Sequence, residues 1–309
     1  MQRVLTTVTL LGLLVATAAA FAITEHLKQI KSPIAGTRVS KVLSPTCHCA
    51  TDKANVRVRL RYRDHVTVTI VNASGDTVAT LATDELLQRN KPHGFPWDGR
   101  TDAGAIAPDG TYHPEVHLAH ARHTYLLPNS ILLDTQIPKV LSASRGKAVL
   151  LAGPGRSVAI AYAFNEAAHA VLYLGHRRLV VGRPTRTTGK VKWGGAIDGN
   201  AVSEGTYILS VAARDLAGNE TPVEGRKHVS VVVRYVLISP RQISVRSGGR
   251  LTVHVQTTAA RVTWRLASRH GAKRGKVLRL HAPTTPGTYR LVVAEHGHSA
   301  AILVRVRAK

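Results

Sequence analysis

Between residues 55 and 71 apolar and polar positions alternate. Val56, Val58, Leu60 and Tyr62 interleave with Arg57, Arg59, Arg61 and Arg63, and Val66, Val68 and Ile70 continue with threonines between them. A period of two sends one set to a packed face and the other to a wet face, so both runs predict antiparallel strands. Similar β-branched runs, punctuated by Gly, Pro, Asn and Asp, recur to the C-terminus. Within this region the only helix-like piece is short, ATDELLQRN (82–90). The N-terminus differs. Val4 to Ile23 is an uncharged apolar run, about as long as a bilayer-spanning helix requires. Its length favours an uncleaved anchor, and the Ala18-Ala19-Ala20 and Ala20-Phe21-Ala22 sites keep a cleaved signal peptide as the alternative. Lys28 and Lys31 just past the span argue weakly against export of the downstream region, but a long domain region translocates regardless of such charges.

The strand pattern repeats. SVAIAYAF (157–164) parallels NVRVRLRY (55–62), and HAVLYLGHRRLVV (169–181) parallels HVTVTIVNASGDTVATL (65–81). WDGRTDAGAIAPDGTY (97–112) is echoed by VKWGGAIDGNAVSEGTY (191–207), so Trp97 and Trp193, like Tyr112 and Tyr207, lie one period of about 95 residues apart. Such a period suits tandem β-sandwiches of about 100 residues each. A third, divergent unit carries five strand-like runs, and its PGTYRLVV (286–293) echoes GTYILSV (205–211). The expected organisation is an N-terminal segment (1–30), sandwiches over 40–135 and 136–235, and a divergent sandwich over 236–309. Short Pro-bearing joints would lie near 127–140 and 231–240. The fold class is therefore all-β: tandem immunoglobulin-like sandwiches after a transmembrane or signal helix.

The order of paired strands followed by W-D-G, further glycines and G-T-Y resembles the immunoglobulin-like domain named after the flagellar hook-capping protein FlgD. Trp97, Asp98, Gly99, Gly104, Gly110, Thr111 and Tyr112 carry the resemblance in the first unit. Trp193, Gly195, Gly199, Gly205, Thr206 and Tyr207 carry it in the second. The resemblance implies a module of bacterial surface and secreted proteins. It is specific for fold and nearly silent on ligand. In relatives the loop before the first strand reads like Ser-Pro-Asn-Gly-Asp-Gly; here Ser44-Pro45 keeps its start and Cys47, His48 and Cys49 replace the rest.

Charge changes the picture. Across 309 residues, 42 Lys+Arg stand against 18 Asp+Glu, a net +24. Such a field favours polyanionic neighbours, although it also serves plain solubility. The stripe Arg57, Arg59, Arg61, Arg63 would space guanidiniums about 6.6–7 Å apart along one face, fitting an anionic wall polymer or lipid head groups. Aromatic content of 5%, with no aromatic residue interleaved as a stacking platform, argues against nucleic acid. A second basic cluster, RLASRHGAKRGK (265–276), is expected in a loop.

Two cysteines exclude a disulfide framework. Cys47, His48 and Cys49 offer a soft donor set for copper or zinc, against a local or intermolecular disulfide. His113, Glu115 and His117 share one strand face, a weaker metal or pH-sensitive patch beside a solvated reading. Asp98, Asp102 and Asp109 lack the alternate-position spacing and closing Glu of an EF-type calcium loop, so they read as turn formers. No G-x-S-x-G, H-E-x-x-H or C-x-x-C occurs, and GRPTRTTGKV (182–191) is not a P-loop. The expectation is a non-enzymatic protein without a cofactor: a single-pass membrane protein whose C-terminal region lies outside the cytoplasm, or a secreted one if the signal is cleaved. It would contact the membrane through its N-terminal helix and scaffold anionic envelope components or a partner protein. A metal-binding or redox-responsive role through Cys47-His48-Cys49, and an accessory module for a wall enzyme acting in trans, are the alternatives.

Overall fold

The computed structural model describes residues 11–21, 32–146 and 149–308. Residues 11–21 are helical, about 16 Å of helix. Among the described residues no helix is long and apolar enough to cross a membrane. Positions 4–10 and 22–23 of the expected span lie outside the described residues.

The rest is β. The described residues divide into two compact units, one up to Thr135 and one from Gln136 onward. The first holds β1 (Ile34–Val39), β2 (Val42–Leu43), β3 (Ala54–Leu60), β4 (Asp64–Val71), β5 (Thr77–Leu87), β6 (Pro92–Trp97), β7 (Gly110–Leu118), β8 (His123–Leu126) and β9 (Ile131–Leu133). One sheet is ordered β1-β3-β6; the other runs β2-β9-β7-β4-β5, with β8 beside β7. Val56, Val58, Leu60, Val66, Val68 and Ile70 are all buried between the sheets, because alternation leaves no other face for them. The sandwich starts earlier than residue 40: IAGTRV pairs with β3, with a register shift between Ile34 and Gly36, although small and polar residues hide its alternation. Residues 82–90 are not helical. They fall largely in β5, where the register shifts against β4 and Asp84 takes φ 51°, its N–H donating to Thr67 Oγ1. The bulge throws the inward residues out of phase, so the alternation is lost. Alternation also predicts Tyr62 inside; instead β3 ends at Leu60, the chain bends, and Tyr62 is 67% exposed.

The second unit begins with β10 (Val140–Arg145), β11 (Val149–Leu151), β12 (Val158–Leu174), β13 (Arg177–Trp193), β14 (Ala196–Ile197), β15 (Asn200–Ala201), β16 (Gly205–Arg214) and β17 (Lys227–Arg234). Strand β12 takes the place of both β3 and β4: its first half pairs with β10, its second with β16, and β13 follows it along both halves. Their core gathers Ile160, Leu172, Trp193, Leu209 and Val231. A separate core, around Val253, Leu266, Leu291 and Val304, fills the last sandwich. That sandwich holds β18 (Leu237–Ser239), β19 (Gln242–Arg246), β20 (Arg250–Gln256), β21 (Arg261–Leu266), β22 (Arg269–Arg274), β23 (Val277–His281), β24 (Gly287–Glu295) and β25 (His298–Arg307), in sheets β18-β20-β23 and β19-β25-β24-β21-β22. RLASRHGAKRGK is no loop: most of it lies in the β21–β22 hairpin, whose ladder runs from Arg261↔Arg274 to Leu266↔Arg269. Its Lys, Gly and Ala residues carry low strand propensity, so cross-strand pairing decides the outcome.

Trp97 and Trp193 are each 1% exposed. Both indole N–H groups donate to the carbonyl three residues on, Arg100 O at 2.8 Å and Ala196 O at 3.0 Å. Each ring packs on its tyrosine, centroids 5.1 Å apart for Trp97–Tyr112 and 5.6 Å for Trp193–Tyr207. The tyrosine hydroxyls donate four residues back, Tyr112 to Pro108 O and Tyr207 to Ser203 O; Tyr289 does the same to Thr285 O in the last sandwich. Gly99 (φ +77°) is required where it stands, since a Cβ there would lie 2.4 Å from Pro45 Cγ. Gly195 (φ +74°) repeats the conformation. Trp97→Ala is expected to cost the first sandwich about 3–5 kcal/mol, read as a lowered midpoint in denaturant titrations followed by circular dichroism. An unchanged midpoint would show that the clamp does not hold this sandwich.

Candidate anion-binding surface and the cysteine loop

The arginine stripe is only partly built. Arg57 and Arg59 stand exposed on the outer face of β3. Arg61 lies past the strand end, half-buried, with Nε donating to Ser32 O at 2.8 Å and its N–H to Pro33 O. Arg63 is exposed in the bend before β4. The stripe of four is therefore corrected to two, because alternation ends where the strand ends.

Strand pairing supplies another cation that spacing along one strand does not reveal. Arg38 of β1 lies directly opposite Arg57, with Gly94 of β6 on the other side, while Arg59 faces Gly36 and Pro92. Small or ring-bound neighbours leave the three guanidiniums room, and none of them forms an ion pair with a carboxylate among the described residues. Arg38, Ser40, Lys41, Asn55 and Arg57 line a cleft of about 560 Å³. Asn55 Oδ1 is buried there without a hydrogen-bond partner. Cations, a hydroxyl and a side-chain amide around one concavity can hold a phosphate or carboxylate by charge-assisted hydrogen bonds. The signal for Arg38 is the pair Thr37-Arg38 before a valine, too short to reveal a strand alone.

Cys47 and Cys49 are joined in a disulfide. The soft metal donor set is corrected accordingly: with both sulfurs in one bond neither is a thiolate. His48 between them is exposed at φ 49°. His113, Glu115 and His117 do share the outer face of β7, but their donor atoms do not converge within one metal's reach, as strand rise dictates. His117 Nδ1 instead meets Thr124 Oγ1 at 3.0 Å.

The acidic loop's carboxylates are occupied by hydrogen bonds to the loop's own backbone and to neighbouring threonines. Asp102 accepts from Thr80 N–H and hydroxyl, Asp109 from Thr135 N–H and hydroxyl, and Asp98 from Arg100 N–H. In the second sandwich Glu204 takes the place of Asp109 and accepts from Tyr235 N–H. These carboxylates fasten turns and strand exits. Tyr112 is shifted upward by burial and by the charge on Asp109.

A titratable cluster of the second unit is also structural. Tyr173 donates to Glu220 at 2.5 Å, and the Arg226 guanidinium lies 3.8 Å above its ring. Burial, then the hydrogen bond to Glu220, pushes the Tyr173 phenol up to about 12 from 10.0. A phenol that keeps its proton more tightly folded than unfolded stabilises fully below pH 10, and that contribution is lost as pH rises through about 12. The second unit should therefore lose stability across this window, and Tyr173→Phe should flatten the dependence in denaturant titrations. Equal slopes for both proteins would refute it.

No curated protein sequence matches the chain. Among solved structures, a three-Ig fragment of titin is similar at 11% identity over 90% of this chain and 100% of that one, TM-score 0.28. A Bacteroides ovatus SGBP-B from a mixed-linkage glucan utilization locus, in complex with a mixed-linkage heptasaccharide, is similar at 12% over 90% and 69%, TM-score 0.27. The D0–D1 region of intimin is similar at 12% over 64% and 98%, TM-score 0.26. Residues 44–121, which include the Trp97–Tyr112 clamp, match the family model of the FlgD Ig-like domain.

Proposed function

We propose that this is a non-enzymatic scaffold outside the cytoplasm, held at the membrane by its N-terminal apolar segment, that binds anionic envelope components through its sandwich faces. The observation that carries this reading is the exposed face of Arg38, Arg57 and Arg59, with no carboxylate paired to it among the described residues and a cleft beside it. Three desolvatable guanidiniums without counter-charge are poorly explained by folding alone. An Ig-like fold is typical of extracellular scaffold and binding domains, and the Cys47–Cys49 disulfide suits an oxidising compartment. Partner proteins would meet the same faces or the exposed strand edges.

Binding of an anionic polymer by the full-length protein should weaken steeply with salt. Arg38→Ala/Arg57→Ala/Arg59→Ala should lower affinity and flatten the slope of log K against log salt by about two. Affinity indifferent to both would discard this face.

The disulfide also favours a second reading, a redox-responsive surface protein. Cys47 Sγ and Cys49 Sγ lie 3.7 and 3.0 Å from Thr51 Oγ1, in a partly exposed loop that a reductant can reach. Thiol labelling after graded reduction should then release both thiols together, with a change in ligand binding that Cys47→Ser/Cys49→Ser reproduces. Binding identical in the two redox states would remove this reading.

A further inference from the structure

Residues 236–309 contain fourteen Lys and Arg and a single acid, Glu295. That carboxylate is 7% exposed and spent internally: it accepts from the Thr257 hydroxyl and from Ala259 N–H at 3.2 Å. The cations of the last sandwich are therefore unopposed, and they are unevenly placed. The outer face of β19-β25-β24-β21-β22 displays seven arginines, all exposed and none ion-paired among the described residues.

Strand register arranges them in a line. Arg246 lies opposite Arg307 at one corner, and Arg305 follows two residues along β25. Arg290 of β24 sits opposite Leu303, one row further, and Arg265 of β21 opposite Val292, a further row on. Arg261 and Arg274 face each other at the far corner. Successive members from Arg307 to Arg265 are displaced by one row, or one row and one strand, about 7–8.5 Å; a two-row step of about 13 Å leads on to Arg261, and Arg307 to Arg261 spans about 35 Å. The flanks are neutral: Gln242, Ala301 and Ser299 on one side, Thr288 on the other. Beside Arg265 and His270 the face dips into a cleft of about 720 Å³ floored by Val292 and Ala294.

We propose that this face docks a linear, phosphate-bearing polyanion seated along the arginine diagonal. A line of guanidiniums with neutral flanks matches a chain of anions better than the plane of a lipid surface. No Phe, Tyr or Trp lies on the arginine diagonal itself; Trp264, which borders the cleft, is half-buried against the core and Gly271, so the diagonal offers no platform for stacked bases. Arginine forks suit phosphate oxygens in bidentate contacts. The inference rests on the reading that the sandwiches meet anionic envelope polymers, and it assigns a second, longer site to that role.

The test is titration of the full-length protein with long-chain inorganic polyphosphate across a salt series, beside oligo(dT) and phosphatidylglycerol vesicles of matched charge. Polyphosphate should bind tightest. Arg265→Gln/Arg290→Gln/Arg305→Gln should weaken it about tenfold or more and reduce the salt slope by about two. Arg250→Gln/Arg279→Gln, on the opposite sheet, should stay within about twofold. Equal losses in the two variants, no loss in the first, or tighter binding of oligo(dT) or vesicles through the same arginines overturns the proposal. An unfolding midpoint matching the parent protein guards against misfolding. Loss confined to Arg38→Ala/Arg57→Ala/Arg59→Ala would overturn this site while leaving the first face standing; loss confined to the diagonal variant would do the reverse.

Discussion

A two-sheet sandwich has one interior, about 10 Å thick, and every strand must give alternate residues to it. Nothing charged fits there without a partner, and the interiors here hold almost only aliphatic and aromatic side chains. The outer positions must therefore take nearly all of the +24. On a pleated face such residues stand about 7 Å apart along a strand and about 4.8 Å across strands. Excess charge that would be diffuse on a helical surface becomes a lattice, and pairing register decides which lattice points are filled. Both arginine faces follow from this constraint.

Shape is held by a smaller set of contacts. An indole donating to the carbonyl three residues on and a tyrosine hydroxyl donating four residues back tie a long loop to the core edge, twice over with nearly the same geometry. The acidic residues of that loop belong to the same fastening, because their oxygens accept from Thr80, Thr135 and, in the second copy, Tyr235. A carboxylate already satisfied by two donors has less capacity to coordinate a cation, which is why a cluster that invites a calcium reading serves architecture.

The fold is legible wherever alternation is clean. Val56 to Leu60 and Val66 to Ile70 announce their strands, and the Trp-Gly-Tyr echo announces the repeat. It is illegible where a second strand settles the matter. IAGTRV has no apolar period, yet β3 captures it and adds Arg38 to the arginine face. At 82–90 a bulge shifts the phase, and at 265–276 a basic, glycine-bearing run becomes a strand only because β21 lies beside it. The candidate sites suffer more than the fold, since Arg61 and Arg63 needed β3 to run on and Cys47-His48-Cys49 needed free thiols. Local spacing specifies which residues share a face; only pairing specifies how far the face extends.

The last sandwich shows how the two levels separate. It keeps the tyrosine that donates four residues back, through Tyr289, but places no tryptophan beside it. Its own tryptophan, Trp264, lies instead on β21 against Gly271 of the neighbouring strand, where a Cβ would come within 3.0 Å of the indole. The hairpin β21–β22 closes a five-stranded sheet, in the place that β4 and β5 take in the first sandwich, and contributes Arg261, Arg265 and Arg274 to the outer face. The single acid is withdrawn into hydrogen bonds with the 257–259 turn. Arginines on the outer face of this hairpin and the withdrawal of counter-charge act in the same direction, since each lengthens an uninterrupted cationic surface at low cost to the core beneath it. A module drifting under selection for folding alone would gain nothing from keeping fourteen cations close together against one acid, because like charges at these separations destabilise the folded state.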